Sequence, residues 1–259
     1  MELTMYQVDA FTDKVFGGNP AAVVPLREWL PDDVMQAIAL ENNLSETAFF
    51  KLREDADYDL RWFTPALEVN LCGHATLGTA WTMFNRLDYG AESVTFHTRS
   101  GRLTVTRSGE RLIMDFPAQP PAPTEIGDVA GAIGAEPLAV LAGPYAVALL
   151  DSEEAVRRLT PDFGKIAKLD IPELIVTAPG GDCDFVSRFF APAGGIDEDP
   201  VTGSAHCILT PFWAERLGKS EMFARQVSAR GGAVWCTLNG DRVTLAGYGA
   251  GYMEGTITI

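Results

Sequence analysis

The sequence predicts an α+β chain of two similar half-domains, each wrapping short strands around one central helix. Three observations carry that prediction: short alternating stretches recur along the chain, one layout of strand, turn, helix and hairpin occurs twice, and a proline-rich segment separates the two occurrences. At 259 residues the chain has room for one large domain or two small ones, so length alone does not choose.

In chain order, residues 3–9, 21–26 and 47–52 have the alternation of strands, and so do 58–64, 94–98 and 103–106. Pro31 stands at a helix start before DDVMQAIALEN, with acids in the first turn, and residues 73–87 carry a helical apolar pattern. Residues 117–123, PAQPPAP, sustain neither a ladder nor a helix because four of them are proline. Composition leaves that segment as a linker or a surface loop, and the repeat favours the linker.

The first copy reads DLRWFTPALEVNLCGHATLGTAW and the second DFVSRFFAPAGGIDEDPVTGSAHCILTPFW. Arg61, Phe63 and Pro65 match Arg188, Phe190 and Pro192 at an offset of 127, whereas Ser100-Gly101 matches Arg230-Gly231 at 130, so three residues are inserted between the two matches. The half-domains are expected over 1–118 and 124–249, with residues 250–259 returning to complete the first and an active-site cleft between them. Helices as rich in Ala, Gly, Thr and Ser as GHATLGTAW and TGSAHCIL sit close inside a curved sheet. Their N-termini, at Gly73-His74 and Thr202-Gly203-Ser204, offer unpaired N–H groups and partial positive charge that suit a carboxylate.

A duplicated scaffold explains what the halves share, so chemistry is sought where they differ. Aligning Thr47-Ala48 with Thr177-Ala178 sets Glu46 opposite Val176, a carboxylate on one side only. Glu46 begins a strand among apolar neighbours, and burial raises a carboxyl pKa from about 4.3 toward the range where a proton is both taken and returned. Cys72-Gly73-His74 stands opposite Asp199-Pro200-Val201; a histidine and an aspartate across a cleft hold substrate polar groups as a proton moves, and Ser204 adds a hydroxyl. Each also has an ordinary reading: Glu46 as a strand-edge or capping acid, His74 as a core histidine, Asp199 as an N-cap and Ser204 as a packing residue. Asn19, in the turn GGNP, and Arg230, in RGG, either line the site or only shape loops. Cys72 lies at a helix N-terminus, where thiolates are favoured, but no cysteine occupies the matching turn, so it reads as structural or accessory. His97 and His206 have no ligand spacing and read as surface or core residues.

Composition excludes several classes. Hydrophobic residues at 47% and charged residues at 21% describe a packed globular chain. A net charge of -15 repels nucleic acid and anionic lipid, so neither is expected as a partner, and an anionic substrate needs local help from arginines or helix ends. No run of about 18 apolar residues occurs, and MELTMYQVDAF lacks the features of a signal peptide, so a cytoplasmic location is expected. The four cysteines lie far apart without a CxxC pair and read as reduced thiols. No metal-ligand spacing, Walker loop or dinucleotide fingerprint appears, so no metal or organic cofactor is expected.

The stretches FGGNPAAVV, NNLSETAFF, RWFTPALEVNLCGHAT, SRFFAPAGGIDEDPVTGSAH and VSARGG occur in the order found in the PhzF-like proteins of phenazine biosynthesis, relatives of diaminopimelate epimerase, and the chain resembles that family over nearly its whole length. The resemblance implies the diaminopimelate epimerase-like fold, two pseudo-symmetric halves each curling strands around a helix, and commonly a homodimer. It implies an isomerase: in the phenazine enzyme a glutamate shifts a proton within trans-2,3-dihydro-3-hydroxyanthranilate, and Glu46 stands at that motif position. By the same matching His74 and Asp199 are catalytic, Ser204 helps hold the substrate, and Gly73 and Gly203 open the helix ends. The epimerase relatives use a cysteine on each side of the cleft, of which Cys72 alone is kept, so one-base transfer is favoured over a thiol pair. An epimerase or racemase using Cys72, and a metabolite-binding protein without turnover, are the rival readings; the substrate is not named by the family.

Overall fold

The computed structural model describes residues 1–259. The first stretch holds β1 (Glu2–Ala10), β2 (Asn19–Leu26), α1 (Asp32–Asn42), β3 (Glu46–Leu52), β4 (Tyr58–Phe63), β5 (Glu68–Val69), α2 (Gly73–Arg86), β6 (Ser93–Thr98), β7 (Gly101–Ser108) and β8 (Arg111–Pro117). The second holds β9 (Ala122–Pro123), α3 (Val129–Ile133), β10 (Ala139–Ala142), β11 (Ala146–Leu149), α4 (Glu153–Arg158), α5 (Phe163–Ile166), β12 (Leu174–Pro179), β13 (Phe185–Ala191), a 3-10 turn (Pro192–Gly194), β14 (Ile196–Asp199), α6 (Gly203–Leu217), β15 (Glu221–Gln226), β16 (Gly232–Asn239) and β17 (Arg242–Gly247); β18 (Gly249–Thr258) ends the chain. Two compact units result, Met1–Asp115 with Ala246–Ile259, and Phe116–Leu245.

In the first unit β1 lies antiparallel between β18 and β2. β2 runs parallel to β3, β3 antiparallel to β4, β4 parallel to β6, and β6 antiparallel to β7. The second unit has the same order: β10 antiparallel to β11, β11 parallel to β12, β12 antiparallel to β13, β13 parallel to β15, and β15 antiparallel to β16. The mixed α/β architecture with strands around a helix is therefore present in each unit.

Helix α2 is buried on nearly every side, which its composition permits. Gly78 lets the helix approach Val8, Ala21 and Val23 within ordinary contact distance of where a Cβ would stand. Thr76, Thr79 and Thr82 are fully buried, yet each hydroxyl donates to the carbonyl four residues earlier, so no polar atom is left unpaired there. On the first unit's other layer, Met35, Ile38 and Ala39 of α1 join Val24, Leu26, Phe49 and Phe63 in a second apolar cluster.

The proline-rich segment is not a free linker. Pro211 lies inside α6 and has no N–H to give the carbonyl of Cys207, four residues earlier. The backbone N–H of Gln119 donates to that carbonyl at 3.0 Å, Ala118 donates to Asp241 at 2.8 Å, and Ala122-Pro123 pairs with β10. Proline composition rules out regular structure of its own; it does not rule out docking on groups that another proline has left unpaired.

An arginine clamp is repeated as well. Arg61 holds Glu68 through two bonds of 2.7 Å, and Arg188 holds Glu198 through bonds of 2.7 and 2.8 Å. In each unit this planar pair ties the strand before the turn to the residues leading into the central helix.

Candidate active site

The first helix end brings four predicted residues together. Glu46 is the first residue of β3, Asn19 the first of β2, and Cys72 and His74 flank Gly73 where α2 begins. Glu46 Oε2 lies 2.9 Å from His74 Nε2, with side chains only 13% and 6% exposed. The two atoms are close enough for an ion pair but poorly aligned, and neither is engaged in a well-directed hydrogen bond. On the ring's other nitrogen, Asn19 Nδ2 stands 3.2 Å from Nδ1 and Cys72 Sγ 3.6 Å from it.

Burial alone would push the His74 imidazole down, but its neighbours Cys72 and Glu46 outweigh it and hold its pKa well above 6.5. Burial, reinforced by the Glu46 charge, pushes the Cys72 thiol up to about 11 despite His74 beside it. At neutral pH the sulfur therefore keeps its proton. The thiolate considered for a helix N-terminus is overruled by desolvation. A charged ring donates from both nitrogens, so Asn19 meets it with the amide oxygen and meets the neutral ring with the amide N–H.

The His74 proton is expected to persist well above pH 6.5 in an NMR titration of the imidazole, and its pKa is expected to fall in Glu46→Gln. Because the folded pKa is raised, this group's contribution to stability is fully present below pH 6.5 and is lost as pH rises through the folded value. An unshifted His74 titration in the wild type would remove the charged pair.

The second helix end carries the other candidates. Asp199 ends β14, and its Oδ2 accepts a short hydrogen bond from the Thr202 hydroxyl. Gly203 and Ser204 begin α6. Arg230 lies in the loop between β15 and β16, which Ser228 ties to the Asp199–Pro200 turn by donating to the Pro200 carbonyl at 2.8 Å. Two residues with no motif signal also belong here. Tyr145 donates to Ser204 Oγ at 3.1 Å, its pKa raised first by burial. Gln226, 1% exposed, hydrogen-bonds the Asp199–Thr202 turn.

Strand register corrects two alignments. Thr47 pairs with Phe63 and Leu174 with Phe190, so Leu44-Ser45-Glu46-Thr47 matches Ile171-Pro172-Glu173-Leu174. Glu173, not Val176, stands opposite Glu46, and a carboxylate is present in both halves. Gly73 and Gly203 are each the first residue of a helix, so Cys72 matches Thr202 and His74 matches Ser204, rather than Asp199 and Val201. The asymmetry that survives is the histidine and the thiol: Glu46 has an imidazole beside it at the helix start, where the other half has two hydroxyls.

His97 lies outside this cluster, 2.8 Å from Asp57, and His206 is a buried core residue whose Nδ1 donates to Thr202 O at 2.8 Å. The donor atoms of Glu46, Cys72 and His74 lie within 4.8 Å of one another, close enough to ligate one ion. Ligation there draws on Cys72 as its thiolate, so an ion has to displace the thiol proton. No helix is long and apolar enough to cross a membrane.

The repeated wrapping of strands around a central helix is the fold shared with epimerase- and racemase-like structures. A hydroxyproline epimerase from Agrobacterium vitis shares the fold alone, at 12% identity and a TM-score of 0.61 over 99% of this chain and 92% of that one. Residues 8–255 match the model of the phenazine biosynthesis-like protein family, and the chain belongs to that family. The PhzF-family crystal structure from Enterococcus faecalis is 44% identical with a TM-score of 0.97, each chain covered in full. A Pseudomonas aeruginosa relative, 52% identical over 263 residues and all of both chains, is named an uncharacterized isomerase.

Proposed function

We propose that this chain is a cofactor-independent isomerase that moves a proton between positions of a small carboxylate-bearing metabolite, with Glu46 as both acid and base. Glu46 removes a proton from an activated carbon, and the electron pair left behind spreads into the adjoining unsaturated or carbonyl group. The charged His74 ring and the polar groups of the Asp199 half-site stabilise that charge, and Glu46 then returns the proton to another carbon. Gly73, Gly203 and Ser204, at the starts of the two central helices, hold the substrate's anionic group, with Asn19 setting the His74 ring and Arg230 adding positive charge. A homodimer belongs to the same reading on the strength of the family alone, and a cytoplasmic location is proposed with it from the sequence pattern.

The observation that carries the proposal is the shielded Glu46 carboxylate 2.9 Å from a histidine it is not well aligned to bond. Both atoms remain able to turn to a substrate. The high thiol pKa of Cys72 speaks against the rival in which sulfur is the base.

The experiment is a screen of small metabolite acids in heavy water, reading deuterium at carbon by NMR. Isomerisation with deuterium entry that persists in Cys72→Ala supports Glu46 as the base. Loss of exchange in Cys72→Ala transfers the role to the thiol, and tight binding of an acid with neither product nor exchange makes the chain a binding protein.

A further inference from the structure

The buried side chain of Gln226 meets the turn before α6 at three points. Its Oε1 accepts from the backbone N–H of Thr202 at 2.8 Å, and its Nε2 donates to the Asp199 carbonyl at 2.8 Å and to Thr202 Oγ1 at 3.2 Å. The direction of every bond is fixed by chemistry. A backbone N–H only donates, so the Gln226 oxygen faces Thr202 N; a backbone carbonyl only accepts, so the nitrogen faces Asp199 O. The Thr202 hydroxyl, receiving a hydrogen from Gln226, turns its own hydrogen to Asp199 Oδ2.

We propose that Gln226 and Thr202 form a one-way hydrogen-bond chain that holds the Asp199 carboxylate as an acceptor, making them positioning residues for substrate recognition. This rests on the proposed substrate site. The hydrogen donated by Thr202 fixes which Asp199 oxygen it meets and sets the orientation of the carboxylate, whose other lone pairs only accept. A substrate group that meets Asp199 has to bring a hydrogen, as a hydroxyl or an ammonium does; a bare hydrocarbon there leaves a polar group without a partner.

The match between Thr202 and Cys72 supports a specialised role. Cys72 makes no side-chain cap to its helix, and Thr202 makes none either; the Thr202 hydroxyl is spent on Asp199 instead. The two halves thus use the same backbone position for different partners, histidine in one and carboxylate in the other.

The test uses three probes with one three-carbon frame: propionate, lactate and alanine, titrated into the full-length protein while the amides of Thr202, Gly203 and Ser204 are followed by NMR. Lactate or alanine is expected to bind at least about tenfold more tightly than propionate. Thr202→Val is expected to bind all three alike, and Thr202→Ser, which keeps the hydroxyl, to restore the preference. A turn that is merely damaged weakens all probes together, in Val and Ser variants alike, and that result overturns the proposal. So does a wild-type protein that does not discriminate, or a preference that survives in Thr202→Val. Failure of Glu46 chemistry shows in the deuterium screen; failure of this chain shows here with exchange intact.

Discussion

Glu46→Gln is expected to lower turnover of the isomerised acid by about 10²–10⁴-fold, the usual contribution of a positioned acid or base, with substrate binding changed far less. The amide keeps the size and much of the hydrogen-bonding capacity of the carboxylate but neither takes nor returns a proton. It also removes the anion beside His74, so the ring's pKa falls in the same variant, and the two effects are read separately by turnover and by imidazole titration. The diagnostic pattern is a drop in kcat that exceeds any rise in KM, since the lost interaction belongs to the proton transfer and not to ground-state binding. Turnover near wild type in Glu46→Gln would move the base elsewhere, and Glu173, its counterpart in strand register, is the next carboxylate to replace.

Acid is expected to destabilise the fold through His206. The ring is fully buried at the first turn of α6, and burial pulls its pKa down to about 4, with the hydrogen bond to the Thr202 carbonyl opposing this. The unfolded chain binds the proton below pH 6.5 and the folded chain only below about 4. Stability from this group is therefore full above pH 6.5, declines as pH falls, and levels off below about 4. The gap in pKa corresponds to about 3 kcal/mol. Urea unfolding of the wild type and His206→Gln, compared at pH 7, 5 and 4, isolates it: the glutamine amide can still donate to Thr202 but does not titrate. Parallel declines in the two proteins would show that His206 accepts its proton in the folded state.

Much of the site was legible in the sequence because helix starts are marked by short local signals. Gly73-His74 and Gly203-Ser204 follow extended residues and open runs of small side chains, and the matched arginines showed that both belong to one repeated layout. Register was the harder problem. The Thr-Ala pairs at 47 and 177 are a local coincidence, whereas pairing of β3 with β4 and of β12 with β13 aligns Glu46 with Glu173. Short strands buried on both faces lack the alternation that would have fixed the shift. Tyr145 and Gln226 were invisible for another reason: each is a single polar residue whose role depends on a partner far along the chain, Ser204 and Thr202 respectively. The helices α3, α4 and α5 span five, six and four residues, too few for a helical period to show.

The docked proline segment was concealed by composition, yet a signal existed. A proline within TGSAHCILTPFWAERL leaves one carbonyl unpaired in a buried helix, and some N–H had to reach it; only the fold reveals that Gln119 supplies it.

The pairing of β18 with β1 has a consequence for synthesis. On the ribosome every residue of Phe116–Leu245 emerges before the strand that borders β1, so the later-made unit is the first whose chain is all available to fold. Until β18 emerges, the nascent first unit carries β1 with one row of backbone groups unpaired, open to pairing with a neighbouring chain.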